Sequence, residues 1–236
     1  MKEEKSFLKK APVRIWKEII FRSAEISEVS QIVELEKSVW KEQAATSEQI
    51  KARIKNFPRG NFVALYENKI VAYCSIEYTE DLKEKKFSWN EITDKGFTIN
   101  SHKQSGEYVY GINLSVHHSM NGYKLGNRVI FFGILIVIED NKKGVFIGSR
   151  LPGFAAYKKR YPETRAEEYA NLKRNGRRRD YELSMYESEG FNLIKILPNY
   201  FYDPASLNYG ALVYWGNPYH NRKDLDSLIK KLWEVS

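Results

Sequence analysis

The chain has 236 residues, 42% of them hydrophobic and 29% charged, with a formal net charge of +8. That balance excludes a disordered chain and supports a substantial core, and the length allows one large domain or two small ones. A single cysteine, Cys74, excludes an intrachain disulfide and a cysteine-built zinc site, and the four histidines form no ligand pattern, so no metal is expected.

Residues 1–12 are charged and lack the apolar stretch of a signal peptide, so they read as a mobile leader to a single domain over residues 13–236. Residues 19–23 suit a first strand. Ile26, Val29, Ile32, Val33 and Leu35 recur at helical intervals and predict an amphipathic helix over 25–36. Thr46 or Ser47 caps a second helix that runs to Asn56. Pro58, Arg59, Gly60 and Asn61 make a turn, and residues 62–66 and 70–78 form a hairpin across Glu67-Asn68-Lys69. Residues 79–107 are long, charged and dotted with Gly and Ser. A connection of that length is functional or disordered, and Phe87, Trp89 and Phe97 argue against complete disorder.

Residues 108–116, YVYGINLSV, are aromatic and β-branched and predict a strand. A polar, glycine-containing loop follows. From Gly126 the chain turns apolar through Val129, Ile130, Phe131, Phe132, Ile134, Leu135 and Ile136, and reads as a buried helix. That apolar run, 129–138, is too short to span a bilayer, so a cytoplasmic protein without a membrane partner is expected. A short strand over 144–148 comes next. Two helices are then predicted, 154–161, stopped by Pro162, and 166–174. Asp180 caps the helix that carries Tyr186. Residues 192–197 and 209–215 are the last strands, and 225–233 read as a terminal amphipathic helix. Residues 158–179 carry nine Lys or Arg against three acids, which points to an anionic partner.

A polar loop feeding a helix has a chemical use. The first amides of the helix have no internal partners, and the helix dipole adds partial positive charge, so an anion such as phosphate can sit there. The run Asn121-Gly122-Tyr123-Lys124-Leu125-Gly126-Asn127-Arg128 resembles the coenzyme A loop of the GNAT acyltransferases, with Gly122 and Gly126 matching and Lys124 standing where that loop has its middle glycine. Tyr186-Glu187-Ser188-Glu189-Gly190-Phe191 resembles a second GNAT signature. The runs Arg150-Leu151-Pro152-Gly153-Phe154 and Trp215-Gly216-Asn217-Pro218 are similar to a GNAT subgroup fused to carbon–nitrogen hydrolases and to GNAT-like polyketide loading domains.

The resemblance spans about residues 20–220 and implies an α/β GNAT fold: a mixed, mostly antiparallel sheet flanked by helices, here with two long insertions. It implies acetyl-CoA, or another acyl-CoA, as co-substrate. Leu114, Ser115 and Val116 would bind pantetheine and the acyl carbonyl through their backbone, and Asn121, Gly122, Tyr123, Lys124, Leu125, Gly126 and Asn127 would hold the phosphates. Tyr186 would protonate the departing thiolate. Glu77, Glu107, His117 and His118 are the candidate bases, and Asn113 or Ser115 is placed to orient a water instead. The expected reaction is direct transfer of an acetyl or other short acyl group to an amine on a small-molecule or carrier-borne acceptor. The alternatives are S-acyl transfer or decarboxylation with an acyl carrier protein, and a non-catalytic binding protein. Nucleic acid is not expected as a partner.

Overall fold

The computed structural model describes residues 18–222, so the leader at 1–12 and the helix expected at 225–233 lie outside the described residues. The chain begins with β1 (Ile20–Ser23). A single tight turn over Ile26–Glu28 leads into α1 (Val29–Trp40), which starts and ends four residues later than its apolar periodicity predicts. Thr46 caps α2 (Ser47–Asn56) by accepting from the Gln49 amide, while the Gln49 side chain accepts from the Thr46 amide, a reciprocal pair that satisfies two orphan donors. β2 (Asn61–Tyr66) and β3 (Lys69–Thr79) form the expected hairpin. Its turn is Glu67-Asn68, both at positive φ, the geometry whose twist suits a two-residue hairpin.

The first insertion folds rather than remaining open. It contains the short α3 (Trp89–Ile92), capped by Ser88 through Glu91. β4 (Tyr108–Val116) leads through the polar loop to α4 (Leu125–Glu139) and then β5 (Gly144–Arg150). In the second insertion α5 (Phe154–Arg160) and α6 (Ala166–Asn171) appear, but the second expected helix ends before Lys173. Instead β6 (Lys173–Arg174) and β7 (Arg177–Arg178) pair across Asn175-Gly176, both at positive φ. The Asn-Gly dipeptide is a strong hairpin signal and overrides helix propensity. Asp180 caps α7 (Tyr181–Ser188) by accepting from the Glu182 and Leu183 amides. β8 (Asn192–Leu197) and β9 (Gly210–Gly216) complete the set.

Seven strands form one sheet in the order β1-β2-β3-β4-β5-β9-β8. β4 and β5 are parallel, as a helical crossover requires, whereas β1–β2, β2–β3, β5–β9 and β8–β9 are antiparallel. The sheet is therefore mixed and mostly antiparallel, as expected.

The residues divide into two compact units. The first takes the chain up to Ser75 together with Asn113–Phe132. Its core joins Val29, Ile32 and Leu35 of α1 to Ile50 and Ile54 of α2 and to Val63 and Tyr73 of the hairpin. Burying each such side chain contributes roughly 1.5–3 kcal/mol. Asn61 is buried within it. Its amide donates to the carbonyls of Arg53 and Phe57, and its oxygen accepts from the Tyr73 hydroxyl at 2.7 Å. The second unit takes Ile76–Ile112 and the chain from Gly133 on. There Leu82, Tyr110, Ile112, Phe146, Leu197, Tyr200 and Leu212 form the core, and Phe87, Trp89 and Ile92 of the first insertion pack against it. The insertion is ordered because Leu82 joins that core and its aromatics pack against it.

Candidate functional site

In the first unit, residues 113–116 of β4, the loop and the start of α4 are consecutive in the chain. The backbone geometry of the loop is specific. His117 bonds Ser119 through its ring, and the turn over His118–Met120 buries Met120. Gly122 then takes φ +87° and Lys124 φ +54°. Gly122 has open space around its missing Cβ, so the glycine is needed for its backbone angle and not for room. Lys124 is exposed and adopts a left-handed conformation that a glycine takes without penalty. Its carbonyl accepts from the Arg128 amide at 3.3 Å, the first turn of α4. The amides of Leu125, Gly126 and Asn127 are thus the opening amides of a fifteen-residue helix, the position where an anion is stabilised. Leu125 is buried and anchors that turn, while Gly126 and Asn127 are half-buried.

The side chains of β4 are committed elsewhere. Ser115 is fully buried. Its hydroxyl donates to the Glu36 carboxylate in a very short bond and accepts from the Trp40 indole N–H at 2.7 Å. Asn113 Nδ2 donates to the same Glu36 oxygen at 2.8 Å. Both side chains are thus bonded to α1, Asn113 through its Nδ2 and Ser115 through its hydroxyl. Glu36 and Trp40 were not singled out from sequence. The signal was present, because Glu36 falls four residues after Ile32 on the apolar face of α1, where a carboxylate must find partners.

Tyr186 lies on α7 in the second unit. It is 7% exposed, its ring meets Phe191 edge-on at 5.5 Å, and its carbonyl accepts from the Phe191 amide. Glu77 is buried and accepts from the Ser101 hydroxyl at 2.6 Å. Glu107 is exposed and paired with Lys143 at 2.7 Å. His118 is exposed and its ring meets that of His117 at 4.1 Å. Cys74 is buried, and burial pushes its thiol up to about 12, so it is unreactive at neutral pH.

The second insertion starts at Arg150, whose guanidinium donates to Glu182 at 2.6 Å while its amide donates to the other oxygen of the same carboxylate. Burial pushes the Glu182 carboxyl up, against the pull of Arg150. Tyr157 meets Tyr161 and Tyr169 at 4.7 and 5.4 Å, and Arg179 lies 4.8 Å from its centroid. Lys173 and Arg178 of the hairpin both pair with Glu187, while Arg174 and Arg177 are exposed and face each other across the ladder.

No family model matches the sequence. The chain is 30% identical over 212 residues to a Bacillus subtilis (strain 168) protein named probable hydrolase YhcX, a match that takes 86% of this chain but 40% of that protein. It is 26% identical over 180 residues to an uncharacterized N-acetyltransferase, YkwB, of the same organism, covering 75% of this chain and 77% of that protein. Among solved structures, the loading GNATL domain of CurA from Lyngbya majuscula superposes with a TM-score of 0.74 at 22% identity, over 84% of this chain and 97% of that one. The GphF GNAT-like decarboxylase, solved with isobutyryl-CoA, gives 0.71 at 21% identity, over 84% and 98%. At these identities the structural likeness is one of fold.

Proposed function

The chain has the GNAT fold, and on that premise we propose that it is an acyltransferase that moves an acetyl or other short acyl group from coenzyme A to an amine. The observation that carries the reading is the loop: glycine-like backbone angles at both Gly122 and Lys124, leading directly into the opening amides of α4. A Lys at the middle position is the main sequence argument for a fold kept without turnover. Its left-handed backbone and exposed side chain weaken that argument.

Acyl-CoA supplies the activated thioester. Residues 121–127 hold its phosphates on backbone amides, with Lys124 adding charge. Leu114, Ser115 and Val116 offer backbone groups to pantetheine and to the acyl carbonyl, where donors gain most as negative charge develops. The acceptor amine forms a C–N bond as the C–S bond breaks, and we assign to Tyr186 the proton that the thiolate takes up. The proton lost by the amine passes to water. The buried Cys74 thiol supports direct attack rather than an acyl-cysteine relay.

A second reading has its own support. The GNAT-like loading and decarboxylase domains superpose on this fold with TM-scores of 0.74 and 0.71, and the second insertion is basic. It is transfer to a carrier-protein thiol, or decarboxylation of a malonyl thioester. The match to 40% of a protein named probable hydrolase supports the fused subgroup, in which an acyltransferase-like portion accompanies a hydrolase.

The test follows thiol release from acetyl-CoA over a panel of amines, with malonyl-CoA and carbon dioxide release as the second arm. The proposal expects amine-dependent thiol release, and Tyr186→Phe should lower turnover by roughly 10²-fold with acetyl-CoA affinity retained. Carbon dioxide from malonyl-CoA without amine-dependent release establishes the second reading. Full turnover in a folded Tyr186→Phe variant removes the tyrosine from the chemistry.

A further inference from the structure

We propose that Glu36 and Trp40 of α1 are positioning residues that hold the coenzyme-binding segment of β4 in place. The inference rests on the reading that residues 113–116 bind the pantetheine arm. Ladder pairs between β4 and β5 run over Val109, Tyr110 and Gly111, and β4 then continues to Val116. A strand edge that offers its backbone to a ligand gives up part of its own ladder, and something else must fix it. On its β3 side the strand end is tied by the His117 amide, which donates to the Val71 carbonyl at 2.8 Å.

The second tie comes from α1. Asn113 and Ser115 stand two residues apart on one face of β4, and Glu36 and Trp40 stand four apart on one face of α1. Two side chains on each element therefore meet two on the other. Glu36 accepts from both Asn113 and Ser115, and Trp40 donates to Ser115. Glu36 is 1% exposed and Ser115 0%, so these bonds are made without competition from water and fix the strand in register as well as in direction. Leu114, between them, points its side chain away. Ser115 gives its one proton to Glu36 and accepts from Trp40, so its hydroxyl is engaged in both bonds that tie the strand to α1. Glu36 acts through the strand and moves no proton.

Calorimetry with acetyl-CoA on the full chain, beside steady-state kinetics and urea unfolding, tests this. Glu36→Gln keeps an acceptor for Ser115 and should bind within about threefold of wild type, with an unchanged pH profile of kcat. Glu36→Leu should weaken acetyl-CoA binding by about tenfold, the loss of a charge-assisted bond, and raise KM more than it lowers kcat. Should Glu36→Leu fail to fold, Trp40→Phe decides. It removes the indole donor to Ser115 from a half-buried site while keeping an aromatic ring, and should weaken binding by ~3-fold or more. Unchanged affinity in folded Trp40→Phe and Glu36→Leu overturns the proposal. So does a Glu36→Gln variant that binds normally but loses turnover with a shifted pH profile, since Glu36 is then a base. Absence of acetyl-CoA binding by the wild type overturns the coenzyme reading itself, and the inference with it, a failure visible before any variant is made.

Discussion

Lys124 shows how a motif can depart from its pattern in letters and keep it in geometry. The sequence reads as a degenerate loop because residue type says nothing directly about φ. In the structure the lysine takes φ +54°, the conformation for which glycine is otherwise selected, and leaves its side chain in solvent. A non-glycine residue there costs about 1 kcal/mol. Lys124→Gly should therefore stabilise the protein by at most about 0.5 kcal/mol, less than the full strain because glycine also gains freedom when unfolded. Urea unfolding measures it. A destabilised glycine variant would show that Lys124 contributes a contact that outweighs its backbone strain. The caps were legible at the same scale, since Thr46 with Gln49, Ser88 with Glu91 and Asp180 each combine a short oxygen acceptor with the start of a helix. For Glu36 the place on the apolar face was legible but the partners were not, because they lie 77 and 79 positions away on β4.

The β6–β7 hairpin is the element that sequence periodicity misread. Residues 166–174 carry enough helix formers to suggest one helix, and the dipeptide immediately after them, Asn175-Gly176, decided otherwise. Within the hairpin, Lys173 and Arg178 share Glu187, but Arg174 and Arg177 face each other, and like charges opposed across a ladder are destabilising. An anionic ligand would offset that repulsion, and on that ground we propose the second insertion as part of the acceptor site. Neutralising Arg174, Arg177 and Arg179 to glutamine should raise KM for an anionic or carrier-borne acceptor and leave acetyl-CoA affinity unchanged. The difference should shrink with added salt, because exposed charges are screened over about 8–10 Å at ordinary ionic strength. Kinetics at two salt concentrations check it. Loss of acetyl-CoA binding instead would assign these arginines to the coenzyme phosphates.

For the whole molecule, the order of strands and helices was readable from periodicity, and the motif runs narrowed it to one fold. The first insertion resisted because its order depends on tertiary packing: Phe87, Trp89 and Ile92 pack against a core that includes residues of β4, β5, β8 and β9. The central claim, that this fold binds acyl-CoA on the loop before α4, is tested most directly by calorimetric titration of acetyl-CoA into wild type and Gly126→Asp. An aspartate in the first turn of a helix is favourable to the helix, so the variant should fold, while its carboxylate occupies the place of a phosphate. The account predicts saturable binding by the wild type and its loss in a folded Gly126→Asp variant; no binding by the wild type, or equal affinity in the two, would contradict it.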